Sequence, residues 1–378
     1  MTETTPFIST LKPFIQNAWE KAGFAKPTPI QSNAIPLIVN GKDVLAESPT
    51  GTGKTLAYLL PVLEKIDAEN SSPQAVILAS SRELVMQIAE EVRIWTEGSG
   101  ISGAAFIGGA NAKRQLDRLK KRPQVIVGTP GRVYELIAQK KLKMHDVKTI
   151  VLDEGDQLIV AEHMGTIRNI IKTTLKDRQM LMFSATITPQ TEELARELAN
   201  EPEIVRIDKS EKMDSNVDHL YVVAERRDKF KILEKIARLE DIKALAFIND
   251  IAELKVIYEK LNFKGLEIGA LHGESNKVDR EKALRKLRSG KFPLLLATDV
   301  AARGLDIKGL TTVVHVDIPL SLEQYTHRSG RTGRAGADGT VISIVTEREE
   351  RELKKLAKGL GVPLAKKVFY GGKLVDEA

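Results

Sequence analysis

The chain has 378 residues, 42% of them hydrophobic and 29% charged, an ordinary globular composition at a length that implies two domains. It contains no cysteine, which excludes disulfides and thiolate metal sites. The formal charge is +6: residues 1–208 balance 25 Lys and Arg against 25 Asp and Glu, and residues 209–378 hold the remaining 32 against 26. A basic excess confined to one half suits a polyanionic partner, although solvated Lys-rich helix faces give the same count.

At the N-terminus, "MTETTPFIST" has no basic stretch leading into an apolar run, so a secretory leader is not expected. No uncharged stretch reaches the roughly 18–20 residues of a membrane span, and a cytoplasmic location is the expectation. Apolar runs then predict strands at 43–47, 75–80, 103–108, 124–128, 149–154 and 179–185. Between them, "RELVMQIAEEVRIW" (82–95) and "PQTEELARELAN" (189–200) repeat apolar residues three and four apart, the period of a helix. Wholly apolar strands alternating with helices predict a mainly parallel sheet covered on both faces.

Residues 208–217, within "IDKSEKMDSNVD", are polar and aperiodic and read as a linker. The alternation then resumes with "HLYVVA", "ALAFIND", "LEIGALHG", "PLLLATD", "TTVVHVDIP" and "GTVISIVT", interleaved with helical patterns such as "KFKILEKIARLE" and "VDREKALRKLRSG". Two α/β domains of similar build are therefore expected, at 1–207 and 218–378.

Several motifs carry chemistry. In "ESPTGTGKT" (47–55), a strand leads through Thr50, Gly51, Thr52 and Gly53 into a helix opening near Lys54. Glycines there turn backbone N–H groups toward a phosphate, Lys54 supplies a cation, and the Thr55 hydroxyl can reach Mg²⁺. The strict phosphate-loop pattern wants glycine where this chain has Ser48. About a hundred residues on, "TIVLDEGD" ends a buried strand in Asp153, suited to Mg²⁺, and Glu154, suited to the attacking water. Alone, those acidic residues also read as a turn. In "FSAT" (183–186), Ser184 and Thr186 read as a helix N-cap pair or as partners of Asp156, with the cap favoured. In "HRSGRTGRAG" (327–336), Arg328, Arg331 and Arg334 among Gly330, Gly333 and Gly336 read as a tight loop able to reach a γ-phosphate. "ATDVAARGLDI" (297–307) places Thr298, Asp299 and Arg303 after a further strand.

The set resembles the DEAD-box RNA helicases, over nearly the whole chain and in the family's order. That resemblance implies two RecA-like domains, each a mainly parallel sheet flanked by helices, and ATP-dependent RNA helicase activity with ATP and Mg²⁺. It implies an adenine-reading segment at 23–31, with Phe24 stacking on the base and Lys26 and Gln31 beside it, and Phe7 as the upstream aromatic. Asp299 is implied near the ribose, Arg331 and Arg334 at the γ-phosphate, and Asp156, Ser184, Thr186 and His327 in coupling. The implied RNA contacts are Ser80, Arg82, Gly109, Thr129 and Arg132 in the first half, then Gly273, Arg280 and Thr298 in the second. Such contacts grip the sugar-phosphate backbone without reading bases. The individual motifs also have plainer readings: Thr129-Pro130-Gly131 as a turn, and Arg82-Glu83 as a helix-start ion pair.

The chain departs from the family's usual text at Gly155 (for Ala), Ser48-Pro49 (for Ala-Gln), Ser80-Ser81 (for Pro-Thr), Lys277 (for Gln) and Ser329 (for an apolar residue). These bear on rate and RNA affinity rather than on reaction type. A monomer acting on single strands and short duplexes is expected, with ribosome assembly or a recruiting protein as the context by analogy. A non-catalytic RNA clamp and a DNA-directed translocase of the same superfamily are the alternatives.

Overall fold

The structure is a computed structural model that describes residues 7–24, 26–49, 51–109, 111–207, 217–275, 277–302, 307, 309–333 and 337–376. The chain divides into two compact units, Met1–Lys212 and Met213–Ala378. The first unit holds seven strands: β1 (Val44–Glu47), β2 (Ala75–Ala79), β3 (Gly103–Phe106), β4 (Val125–Gly128), β5 (Thr149–Asp153), β6 (Gln179–Ser184) and β7 (Glu203–Arg206). They form one sheet in the order β3-β4-β2-β5-β6-β1-β7, and every pairing is parallel.

Burial explains why these strands are apolar throughout. Val44, Ala46, Ile77 and Val151 point into one core, while their neighbours Leu45, Val76, Leu78 and Ile150 point into the other. Successive strand side chains alternate between faces, so a sheet covered on both sides wants no polar position in its middle. The second unit repeats the plan with β8 (Val217–Val223), β9 (Ala244–Phe247), β10 (Gly269–Leu271), β11 (Leu294–Ala297), β12 (Thr312–His315), β13 (Gly339–Val345), β14 (Ala365–Tyr370) and β15 (Lys373–Asp376). Its order is β10-β11-β9-β12-β13-β8-β14-β15, with only β14–β15 antiparallel. Ala244 and Ala246 face one core, and Leu245 and Phe247 the other.

Three expectations change. Val217 opens β8, opposite Gly339, so the strand claims the last residue of the expected linker; 208–216 lie outside the described residues. Short β7 and the β14–β15 hairpin were not foreseen. Their exposed or half-buried side chains interrupt the apolar runs that reveal the other strands. No helix among the described residues is long and apolar enough to cross a membrane.

Candidate active site at the strand ends

The phosphate-loop, "DEGD" and "SAT" residues of the first unit lie at or just past the carboxyl ends of parallel strands, where chains of this architecture bind ligands. After β1, Gly51 (φ 84°) and Gly53 (φ 88°) take left-handed backbone that a side chain would strain, and the helix Lys54–Lys65 begins. A Cβ on Gly53 would stand 2.6 Å from Gln31 Nε2, so the position has room only for glycine. Ser48, where the strict pattern wants glycine, is buried, and its Oγ lies 2.6 Å from Thr52 Oγ1. Thr52 Oγ1 also contacts the Pro49 carbonyl at 2.7 Å. Lys54 Nζ donates to the carbonyls of Ser48 at 2.5 Å and Pro49 at 2.8 Å, so the loop forms a compact cradle around its own cation. Thr50 lies outside the described residues.

The segment expected to read adenine joins this cradle directly. Gln31 is buried; its Oε1 accepts the Thr28 N–H at 3.0 Å and its Nε2 donates to the Gly53 carbonyl at 3.2 Å. Its amide thus ties the start of the helix Pro29–Val39 to the phosphate loop. Phe24 is 46% exposed and stacks on Trp95 at 6.4 Å between centroids, while Lys26 is exposed.

Asp153 ends β5 and is buried. Its Oδ2 accepts the Tyr58 hydroxyl at 2.9 Å, and its Oδ1 accepts the Glu154 N–H at 2.9 Å. Tyr58 stands one turn beyond Thr55 on the helix Lys54–Lys65, so helix and strand meet at this phenol. Burial pushes the Asp153 carboxyl up to about 6, with the neighbouring Glu154 charge adding to it and Tyr58 and Lys54 opposing it. Asp153 makes no ion pair among the described residues. A buried carboxylate with no ion pair among the described residues, bonded to a tyrosine one helix turn beyond Thr55, fits a divalent ion. Among the described residues no group of three or more His, Cys, Asp or Glu could hold a metal alone.

Glu154 sits in left-handed backbone (φ 53°, ψ 55°), a conformation uncommon for a non-glycine residue and concentrated at functional sites. Its Oε2 accepts the Ser80 hydroxyl at 2.7 Å. Asp156, on the short helix Gly155–Leu158, receives two bonds from the "SAT" segment: its N–H donates to Ser184 Oγ at 3.1 Å, and its Oδ2 accepts Thr186 Oγ1 at 3.2 Å. The N-cap reading of Ser184 and Thr186 is therefore corrected. Thr188 caps the helix Pro189–Leu198, its Oγ1 accepting the Thr191 N–H at 3.1 Å. A threonine directly before a proline at the first helical position was the available signal.

The segments of the first unit expected to contact RNA gather at the same edge. A Cβ on Gly109 (φ 68°) would stand 2.7 Å from the Arg82 guanidinium, so loop and arginine lie in contact. Thr129 is not in a turn; it precedes the helix Pro130–Ala138. Arg132 is buried and pairs with Glu135 at 2.5 Å.

In the second unit, Gly273 follows β10, and Thr298 and Asp299 follow β11. The Thr298 N–H donates to the Leu271 carbonyl at 3.1 Å, while its hydroxyl is buried with no hydrogen-bond partner among the described residues. Arg280 donates to the Ala301 carbonyl, which brings it to the same strand end. Arg328 does not lie in a glycine-rich loop: it is in the last turn of the helix Leu322–Ser329, capped by Ser321. It is 1% exposed, bonds both Asp299 oxygens at 2.8 and 2.5 Å, and stacks over Phe247. Gln324 adds a bond to Asp299 at 2.8 Å. Arg331 is 7% exposed and donates to the His327 carbonyl at 3.2 Å. Arg303 and Arg334 lie outside the described residues.

Residues 28–194 match the DEAD/DEAH box helicase family, and residues 228–336 match the helicase conserved C-terminal domain. The chain is 57% identical to a protein of Bacillus subtilis, "Probable ATP-dependent RNA helicase YfmL", over 99% of both chains. It belongs to the DEAD-box ATP-dependent RNA helicase family. A second DEAD-box relative, the Bacillus cereus helicase CshC, is 54% identical over 98% of this chain and 95% of its own. Among solved DEAD-box structures, S. cerevisiae Dbp5 bound to RNA and ADP BeF3 is similar with a TM-score of 0.86 and 30% identity, covering 94% of this chain and 93% of that one. The fold is thus the Dbp5-like pair of RecA-type α/β units. Tyr58 escapes a reading of the DEAD-box motifs, because its role depends on a partner 95 residues away in sequence.

Proposed function

We propose that this DEAD-box protein is an ATP-dependent RNA helicase that hydrolyses ATP when RNA and nucleotide together close its two units, opening short duplexes locally without processive travel. The observation that carries this reading is the convergence of Lys54, Asp153, Glu154 and the Asp156–Ser184–Thr186 network at the ends of adjacent strands β5, β6 and β1. Thr50, Gly51, Thr52 and Gly53 cradle the phosphates through backbone N–H groups, and Lys54 neutralises the outer ones. Thr55 and Asp153 would hold Mg²⁺, which when bound offsets phosphate charge. Glu154 orients the attacking water and accepts its proton. Phe24, Lys26 and Gln31 take the adenine, and Asp299 the ribose.

Arg331 and Arg334 come from the second unit to the γ-phosphate, an arrangement worth on the order of 10³–10⁵ in rate. RNA lies along Ser80, Arg82, Gly109, Thr129 and Arg132 in one unit and Gly273, Arg280 and Thr298 in the other. Asp156, Ser184, Thr186 and His327 carry the nucleotide's state to that surface. The "DEGD" text is a working variant of the family motif. Backbone contacts of this kind select RNA through its 2′-hydroxyls but not its sequence. ATPase assays with and without single-stranded RNA and DNA test the reading. RNA is expected to stimulate turnover and DNA to fail; a rate indifferent to RNA contradicts the coupling.

A further inference from the structure

Ser80 directly follows β2, which pairs with β5. The register sets Ala79 beside Asp153, so the next residue of each chain segment, Ser80 and Glu154, also falls side by side. Geometry there is tight: Ser80 Oγ donates to Glu154 Oε2 at 2.7 Å, the length of a charge-assisted O–H bond. Glu154 is fixed from its other end by left-handed backbone and by its N–H on Asp153. With the hydroxyl attached, one carboxylate oxygen is occupied and the side chain is turned toward β2.

The two residues after Ser80 face elsewhere. Ser81 caps the helix Arg82–Trp95, its Oγ accepting the Leu84 N–H at 3.1 Å. The Arg82 guanidinium lies against Gly109. One tripeptide therefore presents its first side chain to Glu154, its second to a helix start and its third to the glycine loop at the RNA edge. A pull on the helix start or on Arg82 acts on Ser80 through one or two peptide units.

We propose that Ser80 is a positioning residue that restrains Glu154 while RNA is absent, and that RNA engaging Arg82 and the start of its helix draws the hydroxyl off the carboxylate. This rests on the reading of Glu154 as the group that handles the attacking water and of residues 80–82 as RNA-facing. Ser80 then acts through Glu154 and is not merely a hydroxyl for the RNA backbone.

Full-length Ser80→Ala and Ser80→Thr proteins test it by ATPase rate without RNA and at saturating single-stranded RNA, with binding of a labelled RNA strand followed by fluorescence anisotropy. Ser80→Ala is expected to raise the RNA-free rate on the order of tenfold or more, the worth of one bond to a charged group, and to shrink the RNA stimulation ratio by a similar factor. Ser80→Thr, which keeps the hydroxyl, is expected to restore the wild-type ratio. Equal changes with and without RNA overturn the proposal, as does an unchanged RNA-free rate accompanied by weaker RNA binding. Glu154→Gln is run alongside: wild-type turnover in that variant overturns the underlying reading, and the proposal with it, whatever Ser80→Ala does.

Discussion

Asp153 and Asp299 each lie at or just past the carboxyl end of a buried parallel strand, β5 in one unit and β11 in the other, yet their surroundings are opposite. Asp299 holds the buried guanidinium of Arg328 by two bonds, and that guanidinium also donates to Asn249 at 2.6 Å and the Asp317 carbonyl at 2.7 Å. Asp153 has only a phenol and an N–H, no ion pair among the described residues, and a carboxyl that burial pushes up to about 6. Stranding a carboxylate without a cation costs stability, and the cost persists only where an incoming charge offsets it. On the proposed reading the first unit takes its cation from outside, whereas the second pairs Asp299 with its own Arg328.

This contrast can be broken most sharply at Asp153. Asp153→Asn is expected to lower turnover on the order of 10³-fold, since the variant removes the ion-holding charge, while the melting temperature does not fall. A stability loss with intact turnover would reverse the assignment. Arg328→Ala is the counterpart in the second unit. It removes both guanidinium bonds from Asp299 and should destabilise that unit by about 3–5 kcal/mol in urea unfolding, with Arg328→Lys failing to restore the paired geometry.

A smaller effect separates the units by pH. Burial lowers His219 to about 4 and holds His315 well below the usual imidazole range. The folded second unit therefore refuses protons that the unfolded chain accepts, so its stability is complete above about 6.5 and declines as pH falls from there toward 4. Thermal melts at pH 7.5 and 5 measure the decline, and His219→Gln should flatten it. Smallest of all is Gly155→Ala. A Cβ there meets Phe183 O at 3.5 Å and Ile159 Cδ1 at 3.7 Å, ordinary contacts, so hydrolysis should stay near wild type and stability rise by about 0.4–1 kcal/mol. Lost hydrolysis would mark Gly155 as part of the site.

Sequence reading succeeded where one physical signal dominated. Runs such as "AVILA" and "TIVLD" are legible because both faces of the sheet are covered, and "GTGKT" because left-handed glycines leave few alternatives. It failed at "EIVR" and at "AKKVFYGGKLVD", where half-buried edge strands carry no apolar run. The second nonetheless held a hairpin signal, Gly371-Gly372 between alternating side chains. Pairings across strands were beyond reach in principle. Nothing near Ser80 in sequence announces that the β2–β5 register lays its hydroxyl on Glu154. Equally, nothing local distinguishes Asp299, held by an arginine 29 residues on, from Asp153, held by none.

Everything proposed for the site turns on Glu154 handling the attacking water. The most direct test is single-turnover phosphate release by Glu154→Gln, with ATP and RNA binding measured on the same protein. Retained binding with release slowed on the order of 10²–10⁴-fold is the predicted result. Release at the wild-type rate would contradict it.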